Sequence, residues 1–251
     1  MTRKADLFQP LARAAIQFRP EYLDFERGIR VGNLDDNARI TRILKLSLEH
    51  KHRQPFVTER WGRGVYWQWI AFLPRANRSA KPFSAHVSFG CSKYFVTVDT
   101  GEKLFKCGLQ IERGFLKAPP EYRNCELQPD WDWHLLVHSL KRGSALEKEL
   151  DRLVKREGFR LFAGSWEAEA HSYSRKDPPK TRELRRILEE ARGDHWAGFQ
   201  LYYPMRPQEV RAAGGPDLID AMLAVFDEVT PAMNLCMQVQ LQVHAPGPRA
   251  R

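Results

Sequence analysis

The stretch 61-WGRGVYWQWIAFLPRANRSAKPFSAHVSFGCSKYFVTVDTGEKLFKCGLQIERGF-115 decides the fold. Aromatic and β-branched residues gather over Val65 to Leu73, Ser84 to Phe89, Tyr94 to Val98 and Leu104 to Ile111. Such side chains suit a pleated, half-buried surface, so the stretch predicts a meander of strands. Turn signals separate the runs at Pro74 to Pro82, Gly90 to Lys93 and Asp99 to Lys103. Asp99-Thr100-Gly101 is a hairpin signal. Beyond it, Cys107, Leu109 and Ile111 share one face, with Lys106, Gln110 and Glu112 in the opposite phase, as one apolar and one polar side require. Successive hairpins imply antiparallel pairing.

Upstream, Leu7, Leu11, Ala15 and Phe18, then Tyr22, Phe25 and Ile29, fall at helical spacing. They predict two short basic helices over 5–30, broken at Pro20. Asn33 or Asp35 is positioned to cap a helix that runs to about His50, with Ile40, Ile43, Leu44 and Leu48 as its apolar stripe. Downstream, a helix is expected from Asp130 through WHLLVHSL. The next opens on a Ser144/Glu147 capping box and stops at Gly158. GFRLFAGSW and GFQLYYPM read as strands, with a loop at 171–181 and a Thr181-capped helix between them. Pro207 and Pro216 each open a helix. The tail CMQVQLQVH alternates cleanly and predicts an edge strand. The expected fold is α+β, with a mostly antiparallel central sheet and helices packed mainly on one face. The expected organisation is a single domain over 1–251, with two lobes divided near 120–145 as the alternative.

With 43% hydrophobic residues and 28% charged ones, the composition is that of a folded chain rather than a disordered one. Lys plus Arg number 40 against 31 Asp plus Glu, a surplus of +9 that favours polyanionic partners, nucleic acid foremost. Cys91, Cys107, Cys125 and Cys236 form no CxxC pair, which suits free thiols in a reducing compartment. The N-terminus lacks a signal-like apolar run, and no window is apolar enough to span a bilayer. Cytoplasmic location is the expectation. GxxxxGK[ST], GxGxxG and GxSxG are all absent, so P-loop, dinucleotide-binding and serine-hydrolase chemistry find no support.

The leading expectation is a nucleic-acid-binding surface, on DNA or RNA, that combines cations with aromatic rings. Arg60, Arg63, Trp67, Trp69, Arg75, Arg78 and Lys81 would form one part, the two indoles sharing a strand face. Arg175, Lys176, Lys180, Arg182, Arg185 and Arg186 would form another, where a loop meets a helix start. A metal-dependent nuclease is the second expectation, with Asp99 and Glu112, or Glu167 and Glu169, holding Mg²⁺. His134 and His138 at i,i+4, with Cys125 and Cys107 nearby in sequence, are the zinc-like candidates. Cys91 with His86 is a conceivable nucleophile pair. An assembly component that pairs through its tail strand is the third expectation.

Overall fold

A computed structural model describes residues 8–81, 90–125, 131–166 and 168–242. Its strands form one antiparallel sheet. They are β1 (Leu23–Asp24), β2 (Gly28–Arg30), β3 (Phe56–Arg63), β4 (Tyr66–Pro74), β5 (Lys93–Asp99), β6 (Leu104–Arg113), β7 (Arg160–Ser165), β8 (Ala170–Tyr173) and β9 (Ala197–Met205). The order is β1-β2-β4-β5-β6-β9-β7-β8, with β3 paired to β4 off that path. The longest register joins β6 to β9, from Phe105 opposite Met205 to Arg113 opposite Ala197. The predicted strand over Ser84–Phe89 lies outside the described residues.

Alternation along these strands sorts the two faces. Ile70, Phe72, Tyr94, Val96, Phe105, Cys107, Leu109, Phe199 and Leu201 turn toward one continuous core. The helices that close it are α1 (Ile40–His52), α3 (Asp132–Ser139), α4 (Ala145–Asp151), α5 (Thr181–Glu190), α6 (Pro207–Ala212) and α7 (Gly215–Asn234). Phe226 of α7 sits at the centre, its ring centroid 4.7 Å from Tyr94 and 6.3 Å from Phe72. The α+β architecture, with helices mainly on one side, follows from this one-sided burial. Among the described residues no helix is long and apolar enough to cross a membrane.

The Ser144 cap forms as the sequence predicts. Ser144 Oγ accepts from the Glu147 amide at 3.1 Å, and the Glu147 carboxylate accepts from the Gly143 amide. Hydrogen bonds from Thr181 and Gly143 hold the Glu147 carboxyl below its ordinary value. After α4 a wider turn over Arg152–Arg156 leads to Gly158, whose φ of +79° lets the chain reverse.

Six expectations are corrected. The described part of the 5–30 stretch, residues 8–30, is not two helices. Single turns at Arg13–Ala15 and Pro20–Tyr22 lead into β1 and β2, because β2 pairs with β4 and ladder bonding overrides the helical spacing. The connection from Pro74 to Pro82 holds a short helix, α2 (Arg75–Ser79). The N-cap position of α1 is Arg39 rather than Asn33 or Asp35, and that of α5 is Lys180 rather than Thr181, with no side-chain capping hydrogen bond at either. β3, absent from the expectation, supplies a full partner for β4. The tail is no strand over Met237–Gln242. Its amides go to side chains instead: Gln238 N donates to Asp132, Val239 N to Asn77, and Leu241 N to Asn234 Oδ1 at 2.8 Å.

Candidate nucleic-acid interface

β3 pairs only with β4 among the described residues, so its outer side is a sheet edge. Arg63 lies opposite Tyr66, leaving Gly64-Val65 as a two-residue turn. Gly64 at φ +64° occupies the first central position, where a positive φ matches the twist of the flanking strands. The register then slips between Trp61 and Gly62, a β-bulge. Gly62 has φ +142°, and a Cβ there would lie 2.8 Å from Trp67 Cα. A bulge of this kind sharpens the local twist and re-aims the residues beside it.

Trp61, the residue next to the bulge, is 69% exposed. Arg60 and Arg63 flank it, both exposed. Neither meets a carboxylate among the described residues, and nor does Arg27. Two arginines lie over rings: Arg60 is 4.2 Å from the centroid of Trp67, and Arg27 is 4.0 Å from that of Tyr66. Arg27, Trp61, Gly62, Arg63, Tyr66 and Gln68 line a hollow of about 500 Å³ with no acidic residue in its wall. Farther along β3, Thr58 and Arg60 face Arg39, Arg42 and Lys45 of the α1 flank across a groove of about 290 Å³. Asp36 stands 3.3 Å from Arg39 and 3.7 Å from Arg42, so this groove is partly neutralised.

The predicted tryptophans play a different part from the one expected. Trp67 and Trp69 are half-buried and serve separate apolar clusters. Trp67 packs on the main core. Trp69 packs beside Ala71, Leu73 and Cys91. Its indole N–H donates to Gln110 Oε1 at 2.8 Å, an oxygen that also accepts from Gln200 Nε2 at 2.8 Å. At this edge the exposed indole is Trp61, and the glycine on each side of Arg63 was the signal for it.

Lys81 cannot meet a phosphate from where it sits. Its side chain is fully buried, with Nζ 2.8 Å from Asp132 Oδ1 and 3.2 Å from Asn77 Oδ1. Asp132 also accepts from Asn77 Nδ2 at 2.7 Å and from the Ser92 amide at 2.6 Å. Arg75 and Arg78 lie on α2, beyond the end of β4 farthest from the turn. Arg75 is exposed, while Arg78 stands 3.8 Å from Glu59.

The second cationic group forms a separate cleft of about 700 Å³ beside α5. Lys141, Arg142, Lys155, Lys180, Arg182 and Arg185 line it, but so do Glu147, Asp151 and Asp177. Lys155 pairs with Asp151 at 2.7 Å, Arg185 with Glu189 at 2.8 Å, and Arg186 with Glu190 at 2.9 Å. Arg175 and Lys176 are exposed on the preceding loop. α5 packs on β7, four strand spacings from β4, or about 19 Å across the sheet. The cations are therefore divided between two edges rather than gathered on one side.

The nuclease carboxylates are not brought together. Asp99 and Glu112 stand at opposite ends of the β5–β6 hairpin, about 26 Å apart along β6. Each is held by a lysine: Lys106 Nζ lies 2.7 Å from Asp99, and Lys93 binds Glu112. Burial alone would raise the Asp99 carboxyl. Hydrogen bonds from the Glu102 amide and Lys106 outweigh it and set the group below its ordinary value. Glu169 is exposed and 3.2 Å from His171, and Glu167 lies outside the described residues. The rings of His134 and His138 are 6.5 Å apart, but Cys107 points away, to Met222 O in the main core. No group of three metal-ligating side chains occurs among the described residues, and the side chain of Cys125 is not among those described. The Cys91 thiol is buried and pushed up to about 12 by desolvation, the wrong direction for a nucleophile. Its proposed partner His86 is outside the described residues.

No protein-family model matches this chain, and no curated protein matches it in sequence.

Proposed function

We propose that this protein binds nucleic acid along the edge formed by β3, the β3–β4 turn and the flank of α1. One observation carries the reading: an indole 69% exposed, set among Arg27, Arg60 and Arg63, none of which a carboxylate neutralises among the described residues. Unpaired arginines offer their full charge to phosphate, and an exposed ring offers a stacking surface. The larger cleft beside α5 is the weaker candidate, because three carboxylates line it and no exposed aromatic does. The cleavage alternative has less support, since Asp99 and Glu112 are each engaged by a lysine and lie far apart.

Counterion release makes phosphate-driven binding steeply salt-dependent. Fluorescence anisotropy with labelled DNA and RNA oligonucleotides at low and physiological salt is the test. The expected result is binding that weakens with salt and weakens further in the Arg60→Ala/Arg63→Ala double variant. Binding that ignores salt, or that the double variant leaves unchanged, overturns the assignment.

A further inference from the structure

The hollow at the β3–β4 turn has features that phosphate binding alone does not need. Phosphate is held by charge, and the neighbouring groove of α1 and β3 already supplies Arg60 for it, with Arg39, Arg42 and Lys45 shared with Asp36 and Glu49. The hollow adds two aromatic residues, Trp61 and Tyr66, and the side chain of Gln68. Gln68 uses its main-chain oxygen to accept from Thr97 Oγ1 at 2.6 Å. Its amide group has no hydrogen-bond partner among the described residues. A carboxamide carries two donors and an acceptor side by side, the pattern that pairs with a base edge. The volume of about 500 Å³ falls in the range of small-ligand sites.

We infer that this hollow seats one unpaired nucleobase. The base stacks on Trp61 and turns its edge to Gln68, and the phosphates on either side meet Arg27 and Arg63. The inference rests on the nucleic-acid reading above and narrows it to single strands. A duplex keeps its base faces covered by neighbouring pairs, so offering one to Trp61 would cost a few kcal/mol of unstacking. A single strand carries no such penalty, and every base has a face to stack. The strand would then run on past Arg60 into the groove beside Arg42 and Lys45.

The test uses the full chain with a labelled single strand of about a dozen nucleotides, within the usual range of site sizes, and the duplex of the same sequence. Both are titrated at one salt concentration against wild type, Trp61→Ala, Trp61→Phe, Gln68→Ala and Arg63→Ala. The single strand is expected to bind more tightly than the duplex. Trp61→Ala should weaken single-strand binding roughly tenfold, as loss of one base–ring stack does, and leave duplex binding nearly unchanged. Trp61→Phe should restore most of the loss. Gln68→Ala should narrow the difference in affinity between single strands that differ in one base, and Arg63→Ala should weaken both forms. A thermal melt of each variant shows whether it is folded. Equal affinity for both forms, with Trp61→Ala silent and Arg63→Ala still damaging, overturns the base seat while leaving the polyanion surface standing. Inorganic polyphosphate that competes as well as the single strand overturns it too. Failure of wild type to bind either form removes the nucleic-acid reading itself.

Discussion

Lys81 and Arg63 carry the same formal charge and lie in the same quarter of the sequence, yet the fold treats them oppositely. Around Asp132, a lysine ammonium is sealed from water among an aspartate and an asparagine, and the same aspartate takes the Ser92 and Gln238 amides. At the β3–β4 turn, Arg63 stands in solvent beside an exposed indole, with no carboxylate to meet it among the described residues. The first arrangement spends its charge on holding α2, α3 and the tail together. The second leaves its charge available. A net charge of +9 therefore says less about partners than the few cations whose fields reach solvent unopposed.

The sharpest way to break this contrast is to cut the knot. Asp132→Ala leaves Lys81 buried without its counter-charge, and the loss of one partner from a sealed ion pair costs about 3–5 kcal/mol. Urea denaturation should show that loss as a lower midpoint with the slope unchanged. A cost below about 1 kcal/mol would mean that water already reaches the lysine, and the contrast with the turn would collapse.

The next largest effect is expected at the bulge. Gly62→Val places a β-branched side chain at a φ that only glycine adopts freely, with a Cβ 2.8 Å from Trp67 Cα. Backbone strain of this kind costs about 1–3 kcal/mol. Because the bulge adjoins Trp61 and lines the same hollow, Gly62→Val should reduce nucleic-acid binding as much as Trp61→Ala does. Trp61→Ala itself should change stability by no more than about 0.5 kcal/mol, as an exposed position allows. A Gly62→Val protein that binds normally would detach the bulge from the surface it is thought to build.

A smaller effect separates the two cationic edges. Removing one phosphate contact lowers the slope of log affinity against log salt by about 1. Arg60→Ala and Arg63→Ala should each do so. Arg182→Ala and Arg185→Ala, in the cleft beside α5, should each change the slope by less than half as much, because carboxylates already share that field. The reverse ranking would move the binding surface to the cleft.

These effects also mark what could be read in advance. The sheet was legible because Tyr94 to Val98 and Leu104 to Ile111 gather strand-forming residues on either side of a turn, and both strands stand where the pattern places them. β3 was missed because Glu59, Arg60 and Gly62 interrupt its apolar phase. Those residues suit an edge that must discourage pairing, and they weaken the signal of a strand. The tail misled for the opposite reason. Its alternation over Met237–Gln242 is regular, but no neighbouring strand claims it, and Asp132, Asn77 and Asn234 capture its amides. At the candidate site the cationic and aromatic types were legible, whereas exposure was not. Trp67 and Trp69 look like the platform in one dimension. A one-residue register slip at Gly62, visible only once β3 is paired, hands that role to Trp61.

The smallest effect concerns a carboxylate that belongs to neither region. Asp99 accepts from the Glu102 amide at 2.9 Å and from Lys106 at 2.7 Å, and these bonds hold it below its ordinary value despite its burial. An unfolded aspartate titrates near about 3.9. A group depressed in the folded state adds stability above that point and forfeits it as pH falls through the lower, folded value. Wild type should therefore lose stability more steeply below about pH 4 than Asp99→Asn does, with the two curves parallel above about pH 6. Urea midpoints across that range would show it. If both proteins lost stability equally in acid, Asp99 would be an ordinary surface carboxylate, and Lys106 would hold the end of the β5–β6 hairpin through Glu102 alone, 2.9 Å away.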